Sequence, residues 1–383
     1  MFKHKKIIVP ILAVASLGAL LVPKPKIVAS AGFENFTSKS AVLIEKNSGK
    51  ILTEHNAHDK LPIASVTKLM TVLLTLERVK TGELTLDDKV VVTANASGMG
   101  GSQIFLDANC EYVLGDLLKS VIVASANDSS VALAEHIAGS ENNFVRLMNE
   151  KAQELSMQNT NYTNCTGLPS AEGYSSAYDQ ALLLSKVLNF EEFHTYSSIW
   201  NEEFLHPSGR TTQMTNTNKL SRFYQGCVGG KTGSTNQAKY CLAVGAKRDN
   251  TELISVVLGA DNSKTRFKLA TDLLNYGFSN FTSKTLFSNS NLENKTIAIK
   301  GVNKFATLKA ERDFTCVYEK NKEVNFSLNF NLPNQLKKVK ENQVVGNVEI
   351  IIDGVVEDCI NILSNETINE ATIMDYFKDI VNS

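Results

Sequence analysis

Apolar residues recur every third or fourth position through Val66, Leu69, Met70, Leu73 and Leu76, the period of a helix with one buried face. Pro62 and Ser65 stand where such a helix opens, and Thr81-Gly82 where it closes. On that helix Ser65 and Lys68, three residues apart, share a face. Before it, residues 41–52 read as two strands joined by an Asn47-Ser48-Gly49 turn; after it, 86–94 is strand-like and 98–101 is a glycine-rich surface turn. The helical period returns from Gly115 through Leu117, Leu118, Val121 and Ile122. It breaks at Ser125-Ala126-Asn127-Asp128 and resumes from Ser129 to Gly139. Helices are also expected over 144–155 and 177–188, with a Thr166-Gly167-Leu168-Pro169 turn between them. Gly229-Gly230-Lys231-Thr232-Gly233-Ser234-Thr235 then precedes two apolar strands, 240–244 and 253–258.

Beyond Phe281 the long helical period disappears. Short alternating runs such as 324–330 replace it, and Asp353-Gly354 between two apolar runs is the strongest hairpin signal in the chain. The pattern divides the sequence into a mixed region over 32–281, a small all-β sandwich over 282–364, and a tail over 365–383. In the tail Ile373, Tyr376, Phe377 and Ile380 share a helical face, although Glu366, Glu370, Asp375 and Asp379 outweigh Lys378. The first 31 residues have the form of a cleaved secretory leader. Lys3, Lys5 and Lys6 precede an apolar run over 7–22, and Ala29-Ser30-Ala31 supplies a small-residue cleavage site. The mature chain is therefore expected outside the cytoplasm.

A length of 383 residues with 43% hydrophobic and 21% charged residues suits two globular domains with substantial cores. A net charge of −1 argues against an electrostatic nucleic-acid binder. The six histidines include no helical metal-binding pair; His55 and His58, in a short polar stretch, read as solvated. No paired Cys-x-x-Cys and no phosphate loop is present, so no metal and no cofactor is expected. The six cysteines are too sparse for a disulfide scaffold and read as buried free thiols, with Cys227 and Cys241 the pair whose hairpin context could bring them face to face.

A serine becomes a nucleophile when a neighbouring base takes its proton, and a lysine one turn away can do so if it is kept neutral. Taken singly, each polar cluster has an ordinary explanation: a helix-opening serine with a snorkelling lysine, a polar cap between helices, a hairpin with a surface lysine. Together, Ser65-x-x-Lys68, Ser125-Ala126-Asn127 and Lys231-Thr232-Gly233 fall in that order on helix, inter-helix loop and strand. A closely similar set characterises penicillin-binding proteins and class A β-lactamases. The chain resembles the D-alanyl-D-alanine carboxypeptidases among the low-molecular-mass penicillin-binding proteins, also through residues 166–169, Tyr178-Asp179 and 240–281.

The resemblance implies a β-lactamase/transpeptidase-like domain, with an antiparallel sheet flanked by helices and a helical subdomain, followed by a small all-β domain. It implies Ser65 as nucleophile, Lys68 as base, Ser125 as relay to the leaving amine, and Asn127 as the holder of Lys68 and the substrate amide. Lys231, Thr232, Gly233 and Ser234, helped by Arg266, would bind the terminal carboxylate, and Lys231 would help keep Lys68 neutral. The Ser65 and Ser234 amides would form an oxyanion hole. Ser234 stands where some relatives carry histidine. The implied partners are peptidoglycan stem peptides ending in D-Ala-D-Ala and inhibitory β-lactams, at the cell wall or the outer face of the cytoplasmic membrane, with weak membrane contact through the tail. A class A β-lactamase would need a glutamate near 164–166, where Asn164-Cys165-Thr166 stands, and would normally lack the second domain. A penicillin-acylated receptor or peptidoglycan-binding scaffold would be expected to have lost a motif residue.

Overall fold

The computed structural model describes residues 33–375 apart from 302, so the expected leader and the tail beyond 375 lie outside the described residues. In chain order, β1 (Ser40–Glu45) and β2 (Ile51–His55) precede a 3-10 turn (Ala64–Thr67) that runs directly into α1 (Lys68–Thr81). There follow β3 (Lys89–Val91), α2 (Ala94–Ser97), β4 (Glu111–Val113), α3 (Leu114–Val123), α4 (Asn127–Ala138), α5 (Glu141–Glu154), α6 (Ala177–Val187) and α7 (Glu191–Ser198). The hairpin β5 (Asn201–Leu205) and β6 (Thr211–Thr215) leads through α8 (Leu220–Phe223) to β7 (Cys227–Thr235), β8 (Lys239–Arg248), β9 (Thr251–Ala260) and α9 (Ser263–Asn280).

Five strands form an antiparallel sheet in the order β2-β1-β9-β8-β7. Its residues alternate between two cores, as the two-residue period of a strand requires. On β1, Val42 and Ile44 join the larger core with α1, α3, α4 and α6, while Ala41 and Leu43 meet Leu269, Leu273 and Phe278 of α9 on the other face. Nine consecutive residues of α1, Lys68 to Leu76, are buried, so this helix lies inside the molecule and carries Lys68 with it. Gly82, in the left-handed conformation, ends it as expected.

The C-terminal region comprises β10 (Phe281–Phe287), β11 (Thr296–Ile299), β12 (Phe305–Ala310), β13 (Phe314–Glu319), β14 (Phe326–Asn331), β15 (Gln335–Leu336), β16 (Val344–Ile352) and β17 (Val355–Ser364). β10 pairs with β13, and the other six form a sheet in the order β14-β16-β17-β12-β11-β15. Asp353 and Gly354 both take positive φ, the backbone a two-residue hairpin turn demands, and they join β16 to β17. The chain stays tied in beyond Ser364, since the Asn365 amide donates to Thr307 O and Ile368 exchanges backbone bonds with Val339.

All six cysteines are free thiols, Cys165 and Cys241 buried and Cys359 exposed. Cys227 lies opposite Ala246 and Cys241 opposite Gly233, so the hairpin register keeps the two apart. Among the described residues no helix is long and apolar enough to cross a membrane.

Candidate active site

Ser65 sits in the 3-10 turn, one turn earlier than the α-helix in which its spacing placed it. Ala64 before it has φ +49°, a left-handed backbone that costs an alanine of order 1 kcal/mol. Two close approaches hold this turn. A Cβ on Gly167 would lie 2.0 Å from Ala64 O, and one on Gly233 would lie 2.6 Å from Ile63 O and 2.9 Å from the Ser65 nitrogen. Only glycine lets the 166–168 turn and the β7 edge close on the nucleophile from two sides.

Lys68 Nζ lies 3.0 Å from Ser65 Oγ and donates to the Thr166 carbonyl at 2.6 Å. Complete burial brings its pKa down to about 7, against the opposing pull of Cys165 and Asp128. At neutral pH a large fraction of the amine thus carries a free lone pair. Burial is the main cause; Lys231, also wholly buried, is pushed well below the usual lysine range by burial first and then by the Lys68 and Arg266 charges, and the repulsion between the two lysines is mutual.

Ser125 is the middle residue of the link between α3 and α4 and has φ +63°, a second strained non-glycine residue at the site. Its hydroxyl accepts from Lys231 Nζ at 2.7 Å, and Lys231, in the middle of β7, is buried. Ser65–Lys68 and Ser125–Lys231 are therefore two hydroxyl–amine pairs, each made across one hydrogen bond. Thr232 Oγ1 donates to Thr217 Oγ1 at 2.8 Å, and Ser234, opposite Tyr240 at the exposed end of β7, faces solvent.

Asn127 and Arg266 differ from expectation. Asn127 does not bond Lys68: its amide NH2 donates to Gly100 O at 2.6 Å, its backbone N–H to Ser102 O at 2.7 Å, and its buried Oδ1 has no partner. The Thr166 carbonyl holds Lys68 instead. Arg266 turns inward from α9 and donates to the carbonyls of Gly233 and Cys241 at 3.2 and 3.1 Å, with its guanidinium over the Tyr240 and Phe267 rings. It braces the β7–β8 edge and is itself buried.

Several contributors escaped the sequence reading. Asn164 Oδ1 accepts from the Thr166 and Gly167 amides and so shapes the turn that presents Thr166 O. Asp128, fully buried, accepts from the amides of Ile104, Leu106 and Ser129. The Gly98-to-Gly101 turn is not a bystander, since Gly100 grips Asn127. The left-handed glycine in Thr-Gly-Leu-Pro was the one available signal for the first; an acid following Asn127 is too common a helix-start residue to mark the second. No group of three metal-ligating side chains occurs among the described residues.

A buried low-pKa lysine beside a serine at the edge of an antiparallel sheet, with a second serine–lysine pair across from it, defines a serine acyl-transfer centre of the penicillin-recognising fold. Comparison with known proteins agrees. Residues 26–262 match the D-alanyl-D-alanine carboxypeptidase family model, and residues 281–370 match that of the C-terminal domain of penicillin-binding protein 5. The chain is 39% identical over 288 residues to the D-alanyl-D-alanine carboxypeptidase DacF of Bacillus subtilis (strain 168), covering 75% of this chain and 74% of the relative. It is 34% identical over 330 residues to DacA of Haemophilus influenzae, covering 83% and 82%. The crystal structure of penicillin-binding protein 5 from Haemophilus influenzae superposes with a TM-score of 0.72 at 32% identity, over 88% of this chain and 99% of that one. The chain belongs to the D-alanyl-D-alanine carboxypeptidase family of serine peptidases.

Proposed function

We propose that the protein removes the terminal D-alanine from peptidoglycan stem peptides ending in D-Ala-D-Ala, through an acyl-enzyme on Ser65, and that penicillin acylates the same oxygen. Neutral Lys68 takes the Ser65 proton as Oγ bonds to the penultimate D-alanine carbonyl carbon. The tetrahedral oxyanion is met by the Ser65 and Ser234 amides. The carbon–nitrogen bond then breaks as Ser125, backed by Lys231, passes its proton to the leaving amine and takes in its place the proton that Lys68 removed from Ser65, so that Lys68 is neutral again. Water afterwards attacks the ester, giving a proton to Lys68, which returns it to Ser65 Oγ as the carbon–oxygen bond breaks. Lys231, Thr232, Gly233 and Ser234 receive the terminal carboxylate, whose charge restores the Lys231 cation, and Arg266 keeps that strand edge in place. Asn127, with its unpartnered Oδ1, accepts from the substrate amide.

What carries this reading is the 3.0 Å contact between Ser65 Oγ and a buried lysine whose pKa lies at about 7. The β-lactamase alternative lacks support: the glutamate that touches the 164–166 stretch, Glu141, accepts from the Cys165 amide and bonds neither Ser65 nor Lys68. The enzyme acts outside the cytoplasm, at the cell wall or the outer face of the cytoplasmic membrane, and the tail adds a weak, reversible membrane contact.

Two measurements test the reading together. Incubation with penicillin should give one covalent adduct by intact mass, absent from Ser65→Ala. Release of free D-alanine from a peptide ending in D-Ala-D-Ala should be lost in the same variant. Rapid penicillin turnover without D-alanine release would move the assignment to the β-lactamases, and an adduct that survives in Ser65→Ala would remove the nucleophile.

A further inference from the structure

The 100–107 loop, which grips Asn127, is held by two elements. From α4, the Asp128 carboxylate accepts from the Ile104 and Leu106 amides, at 3.1 Å each. From the β5–β6 hairpin, Thr212 Oγ1 donates to Ile104 O at 3.1 Å, and Arg210 Nη2 donates to Phe105 O at 2.6 Å and to Asp107 Oδ1 at 3.2 Å. The ring of His206 is buried where these hairpin donors meet, edge-on to Tyr112 and Phe204.

Its protonation state follows from its neighbours. Arg210 has donors only, and one of the two Nη2 N–H groups is shared between a loop acceptor and His206 Nδ1 at 3.1 Å, which assigns a lone pair to Nδ1; the Tyr112 hydroxyl, also 3.1 Å from Nδ1, donates to Asp107 Oδ2. The ring proton is on Nε2, 2.9 Å from Thr212 Oγ1, and the Thr212 hydroxyl is left to donate to Ile104 O. One neutral tautomer thus satisfies Arg210, Thr212 and the loop at once.

We propose that neutral His206 is a positioning residue of the peptidase centre, locking Arg210 and Thr212 onto the 100–107 loop so that the loop fixes Asn127. The proposal rests on the serine-peptidase reading above, because it concerns how Asn127 is placed in that site. A proton on Nδ1 would set an N–H donor against the Arg210 guanidinium and loosen the hairpin's grip. The charged and titratable groups facing the ring are Arg210 on the hairpin, Tyr112 on β4 at 3.1 Å, Asp107 at the end of the loop, and Asp128 on α4. The two carboxylates favour the imidazolium; burial first, then Arg210, outweighs them and lowers the ring below the usual histidine range. The lock is therefore closed at neutral pH and opens on acidification.

The test uses the full chain, a fluorescent penicillin as the probe of Ser65, and His206→Gln, which keeps polar atoms at the site but cannot titrate. In the wild type, the logarithm of the acylation rate should fall with slope one below the Lys68 pKa, drop about a further tenfold at a second break as His206 takes up its proton, and then return to slope one. In His206→Gln the second break should vanish, and the rate at pH 8 should be about tenfold lower, the size of one lost hydrogen bond near charge. Hydrogen-exchange protection of residues 100–107 should drop between pH 7 and pH 5 in the wild type and be low at both in the variant. A wild-type rate profile without the second break, or loop protection unchanged between the two pH values, overturns the proposal. Should His206→Gln fail to fold, those wild-type measurements still decide, and Thr212→Val must by itself raise exchange in the loop. A wild type that forms no penicillin adduct at any pH instead removes the peptidase reading.

Discussion

Residues 40–280 and the strands that follow them bury apolar side chains by the same rules but treat polar ones differently. The first region buries seven charged side chains among its helices and its five-stranded sheet: Lys68, Asp128, Lys231 and Arg266 around the site, and Glu45, Asp179 and Glu252 away from it. Among the described residues after 281, the buried polar side chains are Ser283 and Ser364, neither of them charged. Burying a charge costs several kcal/mol before any partner compensates it, so the first region gives up stability to hold these groups in low dielectric. Backbone strain is divided in the same way. Positive φ in the C-terminal region falls on Asn342 and Asp353, residue types that tolerate it, whereas at the site it falls on Ala64 and Ser125, which do not. Part of this strain and four of the seven buried charges gather around the site, and the β-rich region carries the marks of a structural module.

The largest expected effect lies at Lys68. Lys68→Met should lower penicillin acylation about a thousandfold or more, because the base is gone, while the protein stays folded. The wild-type rate should fall about tenfold per pH unit below 7, since only the neutral amine accepts the proton. Stability gives an independent check of sign. Lys68 is neutral in the folded chain above about 7 but stays protonated in the unfolded chain up to the ordinary lysine value of 10.5, so unfolding takes up a proton in that window. The wild type should gain melting temperature relative to Lys68→Met as pH rises from 7 towards 10, and a constant difference would mean that the lysine is not depressed.

Gly233→Val should come next. A Cβ 2.6 Å from Ile63 O forces β7 off the Ser65 turn, and a displacement near 1 Å can cost about a hundredfold in rate. Acylation kinetics measured alongside circular dichroism would show a rate lost with the fold retained; an unchanged rate would mean that the strand edge tolerates the shift.

How much of this was legible follows from what each feature needs. The three motifs were readable because the chemistry restricts residue type and order, and the 353–354 turn because its backbone restricts residue type. The 3-10 turn at Ser65 was not, since one turn of offset leaves the apolar period of α1 unchanged. The 201–215 hairpin escaped because of the inward residues along both strands only Phe204 and Met214 are fully buried, too few for an alternating pattern. Thr166 acts through its carbonyl, which every residue has. Arg266 was found for its charge, yet its contacts are to carbonyls 25 and 33 residues away, a placement that only the closed sheet creates.

A change confined to the C-terminal core should invert the pattern at the site. Ile360, fully buried in the core of the six-stranded sheet, should cost roughly 2–5 kcal/mol as Ile360→Ala by leaving a cavity. Acylation of Ser65 should keep its wild-type rate at temperatures where the variant is folded. A parallel loss of rate, seen by comparing denaturant midpoints with penicillin kinetics, would show that the two regions are coupled and break the contrast.

The smallest effect concerns the tail. Glu366 accepts from the Thr307 amide and hydroxyl, and Ile368 is buried beside Val339, so the described part of the tail up to 368 is built into the β-rich region. Farther on, Ile373 and Met374 are exposed at 78% and 66%, where a helical turn begins. An anionic bilayer repels this acidic segment, so any attachment draws on apolar burial alone, at about 25 cal/mol per Å2 over a short stripe. Truncation should therefore fall after Ala371, which preserves the Ile368 and Glu366 contacts; a cut at Ser364 would remove them and confuse lost stability with lost membrane contact. The full chain should co-sediment weakly with zwitterionic vesicles and less with anionic ones, and the chain ending at Ala371 with neither, while both release D-alanine equally fast. Binding that strengthens on anionic vesicles would contradict the charge argument. Absence of sedimentation with either would leave the enzyme free in the extracytoplasmic space, its β-rich region a module without a membrane-facing end.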